Sequence, residues 1–99
     1  MQFQMEIKNE NMQTMIRRFG YTPLGYTERG EMNCVRPISR DYPRFHLYIK
    51  QQGTKYTFSL HLDQKRPSYG GVTAHSGEYE GDVVEDEAGR IKEITKEYV

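Results

Sequence analysis

Two stretches near the middle of the chain alternate apolar and polar residues with a period of two: Phe45-His46-Leu47-Tyr48-Ile49-Lys50 and Tyr56-Thr57-Phe58-Ser59-Leu60-His61-Leu62-Asp63. That period predicts two half-buried strands. The link Gln51-Gln52-Gly53-Thr54 is short enough for a tight hairpin. A turn at Gln52-Gly53, with Gly53 supplying a positive φ, sets Ile49 opposite Tyr56, Leu47 opposite Phe58 and Phe45 opposite Leu60. The other face then pairs Tyr48 with Thr57, His46 with Ser59 and Arg44 with His61. A slip of one residue would turn Phe45, Leu47 and Ile49 into water, so the faces are fixed by the pattern. The polar face has nothing apolar to bury and meets either solvent or a ligand.

The flanking sequence supplies the other elements. Phe3, Met5 and Ile7 alternate over residues 1–8, which read as an edge strand or a frayed terminus. Asn9 or Asn11 caps a helix whose stripe is Met12, Met15, Ile16 and Phe19, closed by Gly20 with Pro23 beyond. Tyr26 and Thr27, a turn at Glu28-Arg29-Gly30, and the alternating Met32, Cys34, Arg36 and Ile38 predict a second hairpin, with Pro37 at an edge or strand end. Asp82-Val83-Val84-Glu85 resembles a capping box opening a last helix with Val84, Ala88, Ile91, Ile94 and Tyr98 on its apolar stripe. The expected fold is a single α+β domain: an antiparallel sheet of about four strands with two helices on one face, in the order α-β-β-β-β-α.

A length of 99 residues supports one domain and excludes two. The formal net charge is zero, but between Arg36 and Gly77 seven basic residues face two acidic ones, and from Glu78 onward eight acidic residues face three basic ones. A basic middle and an acidic end imply either an anionic ligand on the sheet or mutual attraction of two elements. The order of elements invites comparison with double-stranded-RNA-binding domains, whose last helix starts basic. Here Asp82, Glu85, Asp86 and Glu87 occupy that start and would repel phosphate, which excludes that mode. Cys34 is the only cysteine, so the chain forms no internal disulfide, and a reducing cytoplasm is the expected location. No apolar run approaches a membrane span and the start lacks the features of a secretion signal, so neither membrane insertion nor export is expected. A monomer or a homodimer fits equally.

The motifs Val35-Arg36-Pro37, Tyr42-Pro43-Arg44-Phe45-His46, the run from His61 to Gly71 and the run from Ala74 to Gly81 resemble those of a family of short uncharacterised bacterial proteins from small-genome candidate-phylum lineages. The resemblance spans Arg17 to Ile91. That family has no assigned function, so the resemblance implies no activity and no catalytic residue.

Three chemistries compete for the polar face. The first is an anionic or polar ligand, such as single-stranded nucleic acid or a phosphorylated molecule. Arg44, Lys65 and Arg66 would neutralise charge and His46, Tyr48, His61 and Tyr69 would offer rings, although no diagnostic RNA-binding sequence is present. The second is a metal site made by His61, Asp63, His75 and Glu78, whose imidazole and carboxylate donors suit zinc, manganese or iron. A metal-dependent hydrolase would use the same set, with histidines moving protons, but no nucleophile motif accompanies it, and the sequence leaves enzyme activity undecided. The third is a protein-interaction module without chemistry, for which eight tyrosines offer rigid amphipathic area. For the ligand and metal readings the segment from Lys65 to Glu78 reads as a flap over the face.

Overall fold

The computed structural model describes residues 1–64, the backbone of 77–78, and residues 81–98. Five strands form an antiparallel sheet: β1 (Gln2–Glu6), β2 (Thr22–Tyr26), β3 (Met32–Pro37), β4 (Arg44–Gln52) and β5 (Lys55–Asp63), in the order β1-β5-β4-β3-β2. A two-residue β6 (Gly77–Glu78) pairs with the end of β5. The helices α1 (Met12–Phe19) and α2 (Asp82–Thr95), the latter followed by a 3-10 turn at Lys96–Tyr98, complete the α+β domain. The amino-terminal alternation is thus a real edge strand, pairing Phe3 with Phe58, and the order begins with β1 rather than α1. No helix among the described residues is long and apolar enough to cross a membrane.

Period-two patterning explains the two faces. Phe45, Leu47 and Ile49 of β4 and Tyr56, Phe58, Leu60 and Leu62 of β5 are buried against Met15, Ile16 and Phe19 of α1 and Val84, Ala88 and Ile91 of α2. The intervening polar residues of both strands are partly exposed, and Lys55, Gln51 and Gln52 are exposed. Asn11 caps α1 by accepting from the Thr14 amide at 2.9 Å, and Gly20 closes it in the left-handed region at φ 84°. At α2 the expected capping box is absent. Gly81 is the cap without a side-chain hydrogen bond, and Asp82 and Glu85 lie inside the first turn, where their charge complements the helix dipole. Ile38 lies beyond β3 and is 48% exposed, so the β3 stripe ends at Arg36.

The central hairpin differs from the expected one by two residues of register. Gln52 faces Lys55, and the two-residue loop is Gly53-Thr54 with Gly53, at φ 64°, in its first position. Glycine first is the placement of one mirror-image hairpin turn, whereas the expected turn at Gln52-Gly53 has it second. A shift of two leaves both faces intact but changes every partner: His46 now faces His61, Arg44 faces Asp63, Tyr48 faces Ser59 and Ile49 faces Phe58. This register creates the candidate site.

On the helix side, Arg36 follows Met32 and Cys34 on the same face of β3 and brings a cation into the core margin. Glu87 of α2, 3% exposed, answers it. Its carboxylate accepts from Arg36 at 2.8 and 3.1 Å, from Arg90 at 2.8 and 2.9 Å, and from the Tyr21 hydroxyl at 2.6 Å. Burial pushes the Glu87 pKa up, but the hydrogen bonds from Arg90, Arg36 and Tyr21 outweigh it and bring it down to about 2. The basic middle and acidic end of the chain therefore meet, in part, as a structural ion pair. Cys34 is buried, and burial pushes its thiol up to about 12, so it packs as an inert small residue.

Candidate metal centre

The polar face of β4 and β5 gathers a compact group around one carboxylate. Asp63 lies 2.9 Å from His61 Nε2 through Oδ1, and 3.1 Å from His46 Nδ1 and 3.3 Å from Arg44 Nε through Oδ2. The register explains the convergence. Arg44 and Asp63 are cross-strand partners, His46 and His61 are the next pair on the same face, and Asp63 is two residues from His61. Arg44 also rests on the Tyr42 ring, its guanidinium carbon 4.6 Å from the centroid. The side chains of His46, His61 and Asp63 are 12, 14 and 19% exposed, a half-dry environment that strengthens electrostatic contacts.

Asn33 of β3 joins from the next strand, its Oδ1 against His46 Nε2. His46 therefore has an oxygen at each ring nitrogen: Asp63 at Nδ1 and Asn33 at Nε2. Burial lowers the His46 pKa, the Asp63 charge and hydrogen bond oppose this, and His61 and Arg44 add to the lowering, so the neutral ring is favoured. A neutral imidazole carries one proton and satisfies one of the two oxygens.

One potential ligand atom from each of His46, His61 and Asp63 lies within 4.8 Å of the other two. Donor atoms about 2.0 to 2.2 Å from a common ion stand about 3 to 4 Å apart, close to the two histidine-to-carboxylate distances above. The expected metal set is thus reached in part. His61 and Asp63 belong to the cluster, His46 joins them, and His75 and the side chain of Glu78 lie outside the described residues. Of the expected ligand-binding residues, Arg44, His46, Tyr48 and His61 share the face, while Lys65, Arg66 and Tyr69 are outside the described residues. Asn33 was not anticipated, although its position between Met32 and Cys34 already assigned it to the polar face.

Arg44 is committed to Asp63, and Lys50 donates to the Arg29 carbonyl at 2.9 Å. These contacts reduce the cationic capacity that the strands themselves offer a phosphate. Comparisons of the chain with family models, with characterised proteins and with solved structures give no match in any of the three.

Proposed function

We propose that the protein binds a divalent transition-metal ion through His46, His61 and Asp63. The observation that carries this reading is the pair of oxygens facing the two nitrogens of His46. With the proton on Nε2 donated to Asn33, the Nδ1 lone pair points at the Asp63 carboxylate, an arrangement that a cation between them stabilises. Asn33 then has the role of an outer partner that fixes the tautomer and aim of a ligating histidine. Turning the Asn33 amide to donate instead would let Nδ1–H bond Asp63 with no metal, so the tautomer of His46 separates the two arrangements. Two imidazoles and one carboxylate suit zinc, manganese or iron(II), and three protein ligands leave coordination positions for water or a substrate oxygen. When bound, the ion would act as a Lewis acid at those positions. The chain's own contribution is to hold the three donors on adjacent rigid strands, with Arg44 neutralising Asp63.

Chelator-treated protein should melt at a higher temperature when zinc, manganese or iron(II) is added, because an ion that binds only the folded state stabilises it by mass action. His46→Ala and Asp63→Ala should remove that gain. A gain that survives His46→Ala but vanishes with His75→Ala would move the site to the loop set. Protons compete for the imidazole nitrogens, so the gain should fade as pH falls below about 6. A gain unchanged at pH 4.5 would contradict imidazole ligation.

A further inference from the structure

The polar face near the metal cluster has four neighbouring side-chain positions where β4 pairs with β5: His46 opposite His61, and Tyr48 opposite Ser59. Three carry rings. His46 and Tyr48 stack along β4 with centroids 4.7 Å apart and planes 20° apart, His46 and His61 lie 4.9 Å apart across the strands, and Tyr48 and His61 are related diagonally at 6.1 Å and 28°. The fourth position is Ser59. At that corner is a cavity of about 340 Å³ lined by Met1, Gln2, Tyr48, Ser59, Leu60 and His61. A planar ring placed above Ser59 would make against His61 the contact that Tyr48 makes against His46, with the Tyr48 ring beside it.

We propose that this cavity is a stacking subsite for a nucleobase. Ring stacking gives the affinity, and it tolerates any base because every base has a π-face. The polar rim favours a heteroaromatic base over a plain hydrocarbon ring. The exposed Gln2 amide donates to Ser59 Oγ at 3.2 Å, and between them these two groups present donors and acceptors to a base edge. Recognition here is of the base rather than the phosphate, since Arg44 is engaged with Asp63. The subsite does not depend on the metal reading: it uses the ring face of His61, whereas the metal cluster uses its Nε2. A free nucleotide and a base within a single strand offer the same chemistry.

The test is an NMR titration of the chelator-treated full chain with adenosine monophosphate and, separately, with a short single-stranded oligoadenylate. Saturable shifts at Tyr48, Ser59 and His61 are expected. Tighter binding of the oligonucleotide would identify the single strand as the source, and equal affinity would identify the nucleotide. Ser59→Phe, which puts the protein's own ring at the fourth corner, should weaken binding by about tenfold or more. Its melting temperature and its response to zinc should stay unchanged, whereas Ser59→Ala, which keeps the space and loses only the hydroxyl, should weaken binding far less than Ser59→Phe does. Absence of saturation with both probes, or undiminished binding by folded Ser59→Phe protein, would overturn the subsite. Neither result would touch the metal reading, which is scored by the zinc response alone.

Discussion

Phe58→Ala is expected to destabilise the protein by about 3 to 5 kcal/mol, a large share of what holds a domain of this size together. Phe58 is fully buried on β5, paired with Phe3 of the edge strand on one side and Ile49 of β4 on the other. Its ring stacks on Phe3 at 5.2 Å and meets the edge of Phe19 of α1 at 6.1 Å, so truncation opens a cavity between β1, β5 and α1. The neighbouring Thr57→Ala on the polar face should cost well under about 1 kcal/mol. Denaturant titration of the two variants checks this, and equal midpoints would mean that the faces are assigned wrongly.

Glu87→Ala should be of similar severity, about 3 to 5 kcal/mol, because it leaves two arginines and a buried tyrosine hydroxyl without their shared acceptor. The same carboxylate makes stability depend on pH. Its folded pKa, about 2, lies below the ordinary value of 4.5, so its contribution is fully present above pH 4.5. That contribution, of about 3 kcal/mol, is lost as pH falls toward 2, since the unfolded chain takes up the proton first. Glu87→Gln should flatten this acid limb of the stability curve. An acid limb of undiminished steepness in Glu87→Gln would assign the loss to other carboxylates.

The faces of the sheet and the stripe of α1 were readable because burial repeats with the backbone period. Met12, Met15, Ile16 and Phe19 are all buried, and β4 and β5 alternate without exception until the turn. Register was less legible for a physical reason. A shift of two residues keeps every apolar residue inside, so only the turn discriminates, and it does so through whether Gly53 stands first or second in the loop. The opposition of His46 to His61 hung on that one position. The edge strand β1 was ambiguous because its partner lies about fifty residues away and its apolar positions are only half-buried. The Arg36–Glu87 pair left a signal in the sequence: a cation in step with Met32 and Cys34, and an acid one place before Ala88 on the stripe of α2.

The central claim concerns three atoms, and histidine side-chain nitrogen spectroscopy addresses them directly. In protein loaded with one equivalent of zinc, the His46 Nδ1 and His61 Nε2 signals should both move to metal-bound positions, with the His46 proton on Nε2 facing Asn33. Unshifted His46 and His61 nitrogens, with the His46 proton on Nδ1 and donated to Asp63, would show a metal-free hydrogen-bonded cluster and contradict the account.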